Sequence, residues 1–268
     1  MFLAVPALHA QGIVNPVVSG DTLTARIELA GGIGADLTIA FERAVGLTPA
    51  ALGLSAVLVS PTDLGLLSRL PQVNVSIPTG FPVLLTIEPP AGGGLSFSGL
   101  AAVSLHTHNL PFAPNSPLRL FRATGGGRFE DVTETMGMGS YRVRGSSGGF
   151  SQWLIVADVR QINAVVGKKF DRLEDLLATH EAQIAPAVYS DLADHLIAAR
   201  AAYDANALVA AVQEVEAFAA AVKEHSGSIP DVWRSAGDIV NVAGELRAAA
   251  STLRFSLNLQ SNSGGGLL

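Results

Sequence analysis

The stretch Asp21-Thr-Leu-Thr-Ala-Arg-Ile-Glu-Leu29 alternates apolar and polar side chains along its whole length. A β-strand points successive side chains to opposite faces, so Leu23 and Ile27 would share one face while Thr24 and Arg26 share the other. One such face would lie in a core and the other in water. We therefore predict a half-buried strand of the kind found in antiparallel sheets.

The same alternation recurs through the first 158 residues. Further strands are predicted at 37–41, 73–77, 83–87, 103–107, 141–144 and 150–156. Proline residues and glycine clusters separate these runs, as turns do. Many short strands divided by turns predict an antiparallel β-sandwich over residues 11–158. One short helix is predicted near residues 62–69, where Thr62 or Asp63 would cap its first turn.

The apolar period becomes helical from about Gln161. Apolar side chains then recur at every third or fourth position, which predicts a bundle of three to four helices over residues 159–257. Pro186 and Gly227 would end the first and third helices, and the last would run from about Asp231 to Phe255. The Ser- and Gly-rich residues 258–268 predict a flexible tail. The fold class expected is α+β by segregation, with the β-sandwich first and the helices second.

The first ten residues have the features of the end of a signal peptide. An apolar run is followed by Pro6 and then by the small residue Ala10, which precedes the polar Gln11. This pattern predicts cleavage after Ala10 and export to the periplasm or the extracellular space. No Lys or Arg precedes the apolar run, which suggests that the natural start lies upstream of Met1.

Composition excludes several classes of function. The chain of 268 residues is 49% apolar, carries a net charge of -6 and has no cysteine. Such a chain folds around a core but offers no cluster of Lys and Arg for a nucleic acid or an anionic membrane. No run approaches the ~20 apolar residues of a membrane span. Disulfides, thiolate metal sites and cysteine nucleophiles are excluded as well.

Two parts of the sequence resemble known modules. The stretches 129–133, 139–145 and 150–158 look like the closing strands of immunoglobulin-like modules in secreted bacterial proteins. The apolar spacing from Leu192 to Ile229 resembles that of small helical modules of bacterial surface proteins. Together they resemble an uncharacterised family of exported bacterial proteins with an immunoglobulin-like β-sandwich followed by a helical bundle. The resemblance implies location and architecture, and it implies no activity or catalytic residue.

His106 and His108 form the one pattern that suggests a metal. On a strand both imidazoles project to the same face, where they can ligate one Zn²⁺ ion if a third ligand is supplied. The loop around Asp131 or Glu134 is the expected source of that ligand. The alternative is a solvated strand face, with Val103, Leu105 and Thr107 in the core, and the alternation favours it.

Other motifs fail at a required position. Gly145-Ser-Ser-Gly-Gly149 has the letters of a hydrolase elbow around Ser147, but it lies between two predicted strands and is interpreted as a flexible hairpin loop. His180-Glu-Ala-Gln-Ile184 begins like a zinc-protease helix and has Ile where the second His is needed. The glycine clusters lack the spacing of phosphate-binding loops. We therefore predict no cofactor and no catalytic residue.

The two tryptophans are interpreted as packing residues. Trp153 alternates with buried positions of the last predicted strand, and Trp233 would begin the last helix. Trp233, if exposed, is the first candidate for contact with a protein or envelope partner. The sequence favours a non-catalytic exported protein with a binding, adhesion or envelope-structural role. The alternative is an exported metal-dependent hydrolase that uses His106 and His108.

Overall fold

The computed structural model describes residues 12–71, 74–113 and 115–264. Within these ranges the chain forms two antiparallel β-sheets, and its long helices follow residue 160. The protein is therefore α+β, as the sequence predicts. The predicted leader at residues 1–10 and the expected new terminus at Gln11 lie outside the described residues.

The strands follow the predicted alternation. In chain order they are β1 (Ile13–Ser19), β2 (Thr22–Leu29), β3 (Ile33–Val45), β4 (Leu54–Leu58), β5 (Val75–Ser76), β6 (Val83–Ile87), β7 (Ser96–Pro111), β8 (Leu118–Ala123), β9 (Glu130–Asp131), β10 (Thr133–Gly137), β11 (Ser140–Ser147), β12 (Gln152–Asp158) and β13 (Val232–Arg234). The predicted strand 83–87 coincides with β6, whereas 37–41 and 103–107 are the middle parts of the longer β3 and β7.

The first sheet, sheet A, has the order β1-β2-β3-β7-β11-β10. The second, sheet B, has the order β4-β6-β12-β8-β9, with β5 also beside β12. β7 is long enough to pair with β3 on one side and with two strands on the other. Its first part pairs with β13 and its second part with β11.

The inner faces of the two sheets share one hydrophobic cluster. Leu37 and Tyr141 of sheet A belong to it together with Leu85, Trp153 and Ile155 of sheet B, and all five are almost completely buried. These residues occupy the apolar positions of their alternating strands, so the period-two pattern determines which face is buried. The interpretation of Trp153 as a core residue is confirmed.

The helices are α1 (Pro49–Leu52), α2 (Leu64–Leu67), α3 (Ile162–Thr179), α4 (Pro186–Asp204), α5 (Leu208–Glu224) and α6 (Val242–Gly264). The predicted short helix is α2, and the Asp63 side chain caps it by accepting a hydrogen bond from Leu66 N at 3.1 Å. Each of the helices α3 to α6 contributes a buried apolar stripe to a common hydrophobic cluster, which includes Leu173, Leu192, Phe218 and Leu253. Among the described residues, no helix is long and apolar enough to cross a membrane.

Three helix boundaries differ from the prediction. Pro186 begins α4 instead of ending α3, because the first turn of a helix needs no hydrogen bond from the nitrogen that proline lacks. α5 ends at Glu224, before Gly227. Residues 258–264, predicted to be flexible, continue α6, since extending an existing helix is easier than starting one.

The segment around Trp233 differs more from the predicted secondary structure than these helix boundaries do. The sequence predicts that Trp233 begins the last helix, but residues 232–234 form β13 and the helix starts at Val242. Trp233 pairs with Phe97 across the two strands, so packing against sheet A overrides the local helical preference. The predicted segregation of strands and helices is therefore incomplete, because a strand from the C-terminal half completes the N-terminal sheet.

Candidate metal centre

The two histidines of β7 lie beside Asp36 of β3. In the register of sheet A, Asp36 is directly opposite His106, and His108 is two residues further along β7 on the same face. Val103, Leu105 and Thr107 are buried, so the predicted division of this strand into a core face and an outer face is confirmed. The outer face is where the two imidazoles and the carboxylate meet.

The three side chains converge on one oxygen atom. His106 Nδ1 lies 3.2 Å from Asp36 Oδ2, and His108 Nε2 lies 3.1 Å from the same oxygen. The two imidazole rings are perpendicular, with centroids 5.6 Å apart. One possible ligand atom from each residue lies within 4.8 Å of the other two. The arrangement is a pair of imidazoles and a carboxylate gathered around one point.

The cluster is open to solvent and carries a negative carboxylate. The side chains of His106, His108 and Asp36 are 32%, 40% and 50% exposed. The hydrogen bond from His108 lowers the pKa of Asp36 below its usual value; burial opposes this effect, while the charges of the histidines and of Arg26 support it. Asp36 is therefore ionised at neutral pH and available as an anionic ligand.

Arginines of the neighbouring strands border the cluster. Arg26 of β2 is opposite Asp36, and its Nε lies 3.9 Å from Asp36 Oδ1. The same guanidinium is closer to Glu28, at 3.2 Å. Arg142 of β11 is opposite His106 on the other side of β7. Arg26 therefore leaves Asp36 Oδ2, the oxygen shared by the histidines, as the more available ligand atom.

The predicted source of the third ligand is wrong. Asp131 accepts a hydrogen bond from the buried Lys169 at 2.7 Å, and Glu134 lies 3.8 Å from Arg144. Asp36 lies beside the two histidines and supplies the third possible ligand instead. Its outward position follows from the alternation of the 37–41 strand, but its neighbour on β7 depends on the pairing of strands about 70 residues apart in the sequence.

Trp233 makes an internal contact. Its ring centroid is 5.5 Å from that of Phe97 and 5.1 Å from that of Phe150, and it packs against the core shared by the sheets. Since these contacts attach β13 to β7, the hypothesis that Trp233 is an exposed partner contact is not supported. The residue is a partly buried anchor of the fold.

The hydrolase-like stretch is also structural. Ser147 is fully buried, its hydroxyl donates to Gly149 O at 2.6 Å, and Gly149 N donates back to its Oγ at 3.0 Å. The predicted flexible loop is instead a buried turn packed against the start of α6, where Gly148 faces Glu245. Ser147 is thus occupied by a local turn and is not presented as a nucleophile.

Two histidines of the C-terminal half, His195 and His180, make contacts away from this cluster. His195 Nδ1 is 2.8 Å from Glu214 Oε2, and His180 Nδ1 is 3.2 Å from Gln183 Nε2. The candidate centre is therefore the group Asp36, His106 and His108, and we refer to it below as the His-Asp-His cluster.

Residues 1–261 match the family described as "Family of unknown function (DUF6689)". The chain belongs to this family. The prediction that the protein comes from an uncharacterised family is confirmed, and membership in DUF6689 brings no assigned activity to the His-Asp-His cluster. No curated protein matches the chain.

Proposed function

We propose that this protein is a non-catalytic exported binding protein, and that its ligand is a divalent transition-metal ion held by the His-Asp-His cluster. The observation that carries the proposal is the convergence of two imidazole nitrogens on one ionised carboxylate oxygen of Asp36. The three side chains come from adjacent paired strands, which hold their backbones in a fixed register.

The spacing of the cluster suits a small tetrahedral ion. Two ligands of Zn²⁺, each about 2.0–2.1 Å from the metal, lie about 3.3 Å from one another. The imidazole nitrogens of His106 and His108 lie 3.2 and 3.1 Å from Asp36 Oδ2. Small rotations of these side chains would replace the hydrogen bond between His108 and Asp36, and the contact between His106 and Asp36, with bonds to the metal.

The ligand chemistry favours zinc and similar ions over calcium and magnesium. Imidazole nitrogen suits Zn²⁺, Cu²⁺, Ni²⁺ and Fe²⁺, whereas Ca²⁺ and Mg²⁺ prefer shells made of oxygen. A cluster with two His and one Asp offers two nitrogens and one or two oxygens. We therefore expect Zn²⁺ to bind and Ca²⁺ to leave the cluster unoccupied.

Export and a binding role form the wider part of the proposal. The leader-like residues 1–10 support a periplasmic or extracellular location, in which an adhesion or envelope-structural role would operate.

We interpret the two sheets as an immunoglobulin-like sandwich and α3–α6 as a helical bundle. This interpretation is supported by the hydrophobic cluster between the two sheets and by a second cluster among the four helices. Intact mass of protein recovered from envelope and culture fractions tests export, and a cytosolic chain that retains Met1 or Phe2 would overturn it.

The metal site is tested by thermal unfolding of chelator-treated protein with added ZnCl₂. Zinc at about 100 times its Kd stabilises a native state by about 2.7 kcal/mol, which raises Tm by several degrees. We expect this shift in the wild type and its loss in Asp36→Asn and in the double variant His106→Ala/His108→Ala. The matched control is His180→Ala/His195→Ala, which removes the same number of imidazoles elsewhere and should keep the shift.

Two results would contradict the metal proposal. One is the absence of a zinc-induced shift in the wild type. The other is an equal shift in the wild type and in the His106→Ala/His108→Ala variant, since binding would then occur at another site. Because all three ligands are substantially exposed, their removal should leave the far-UV circular dichroism spectrum unchanged.

A metal-dependent hydrolase is the second candidate function. It is favoured by the number of protein ligands, since catalytic zinc sites typically use three and leave a position for water. Nitrophenyl acetate and nitrophenyl phosphate are suitable probes for zinc-loaded protein. Turnover that disappears in Asp36→Asn would support the hydrolase and overturn the non-catalytic role, whereas zinc binding without turnover supports the binding protein.

A further inference from the structure

A cavity of about 250 Å³ lies where the strands meet the long helices. Arg119 of β8 and Arg160, which follows β12, contribute basic groups to its wall. Ser116 lines it from the loop before β8, and Ser256 lines it from α6. Its lining includes none of the three residues of the His-Asp-His cluster.

The two carboxylates in the wall already have cationic partners. Asp158 accepts two hydrogen bonds from the Arg160 guanidinium, at 2.8 and 2.6 Å. Asp131 accepts a hydrogen bond from Lys169 Nζ at 2.7 Å. Both ion pairs are largely buried. Each carboxylate is therefore already neutralised by its own partner and does not balance the charge of Arg119.

Arg119 has a different environment. Its Nη1 donates to the backbone oxygens of Ser116 and Leu118, at 2.8 and 2.7 Å. Within the described ranges, no carboxylate lies within ion-pair distance of its guanidinium. The two carbonyl contacts use a single nitrogen of the guanidinium, which has five N–H donors in all. Among the described residues, Arg119 therefore has no carboxylate partner in an ion pair, and the two carbonyl contacts leave other N–H donors of its guanidinium unused.

The local charge is positive. Arg119, Arg160 and Lys169 supply three cations, whereas Asp131 and Asp158 supply two anions. Burial lowers the pKa of Lys169, its charge and hydrogen-bond interactions with Asp131 oppose this effect, and the nearby charges of Arg119 and Arg160 add to the lowering. An anion in the cavity would offset the excess charge.

We propose that this cavity binds a small tetrahedral oxyanion of the phosphate or sulfate type. An arginine fork matches two oxygens of such an ion, and hydroxyls such as those of Ser116 and Ser256 can donate to the others. The cavity is smaller than the ~300–1,000 Å³ typical of sites for drug-sized ligands, which suits a small ion. The bound ion would connect β8 with α6 and stabilise the contact between strands and helices.

The experiment uses the full-length, metal-free protein and inorganic phosphate as the probe. Binding is measured by isothermal titration calorimetry and by Tm, with sodium chloride adjusted to keep ionic strength constant. We expect saturable phosphate binding and a matching rise in Tm for the wild type. Sulfate, measured in a second series, identifies a general tetrahedral oxyanion site if it binds similarly and a phosphate-selective site if it does not.

The variants separate the cavity from the remaining surface. Arg119→Met should abolish phosphate binding, and Arg119→Lys, which keeps the charge but loses the fork, should weaken it at least tenfold. Arg142→Met removes an exposed arginine of β11 and should bind as the wild type does. Asp36→Asn, which disables the His-Asp-His cluster, should also bind phosphate normally.

The proposal is overturned by either of two outcomes. A non-saturating rise in Tm that is equal for wild type and Arg119→Lys would indicate a general salt effect. Saturable binding with the same Kd in wild type, Arg119→Lys and Arg119→Met would indicate a site elsewhere. Arg119→Lys preserves the charge, so it provides the comparison even if Arg119→Met does not fold.

Discussion

The side chain of Lys169 is only 7% exposed and connects three elements. Its ammonium donates to Asp131 at 2.7 Å, to the hydroxyl of Thr252 at 2.6 Å and to that of Ser256 at 2.8 Å. Burial alone would raise the pKa of Asp131, but the charge and hydrogen bond of Lys169 outweigh it and lower the pKa, together with hydrogen bonds from Thr133. The pair joins β9 to α3 and α6 through charges that are fully hydrogen-bonded.

Lys169→Met is expected to destabilise the protein strongly. The substitution removes the ammonium and leaves the Asp131 carboxylate buried without its cation, a loss of about 3–5 kcal/mol. Urea unfolding followed by circular dichroism measures it. Lys168→Met is the matched control, because that side chain is 77% exposed and its contact with Asp171 is on the surface. Equal losses in the two variants would contradict a specific role for Lys169.

At the scale of elements, the start of α6 approaches sheet A through glycines. A Cβ atom on Gly148 would lie 2.5 Å from Glu245 N and 2.7 Å from Asn241 O. A Cβ atom on Gly244 would lie 2.7 Å from Gly99 O. In the sequence, the glycines of the 145–149 stretch indicate flexibility. In the fold, Gly148 permits close contact between the turn after β11 and the start of α6, and Gly244 permits close contact between α6 and β7.

Gly148→Ala is therefore expected to disturb the contact between α6 and sheet A. The added methyl group must displace backbone atoms of α6, and overpacking of this kind costs roughly 1–3 kcal/mol. Thermal unfolding measures the loss as a lower Tm. Gly92→Ala is the control, since a Cβ atom there meets nothing within 4 Å. An unchanged Tm in Gly148→Ala would show that the approach of α6 is not tight.

At the scale of the whole molecule, strands and helices form one connected structure. β13 comes from the C-terminal half and pairs with β7 in sheet A. Arg122 of β8 donates to both carboxylate oxygens of Glu245 in α6, at 3.2 and 3.3 Å. Arg247 of α6 forms a second two-bond contact with Glu42 of β3, at 2.8 and 2.6 Å. Neither half keeps all its polar partners without the other.

We therefore expect the two halves to unfold in one transition. Tryptophan fluorescence reports on Trp153 and Trp233, which pack against the sheets, whereas circular dichroism at 222 nm reports mainly on α3–α6. In urea the two signals should have the same midpoint, as a cooperative unit requires. Separate midpoints would show that the halves are independent domains, as a boundary at residue 158 implies.

The local pattern predicts much of the fold and little of the candidate site. Alternation locates the strands around Leu23, Leu37 and Val103 because the period of side chains along a strand depends only on local geometry. It also puts His106 and His108 on the outer face. The pattern does not identify Asp36 as the third possible ligand, because strand pairing is a non-local property that one strand's pattern does not specify.

The pattern of apolar residues along the chain is enough to predict the α+β class, the faces of the strands and the buried stripes of the helices. Each of these depends on the period of apolar residues over a few turns or a short strand. The contact of Asp36 with His106, the strand around Trp233 and the pairing of Lys169 with Asp131 depend instead on how distant segments pack together. These three contacts join residues far apart in the chain, and they form because the packed sheets and helices bring them within hydrogen-bonding or van der Waals distance.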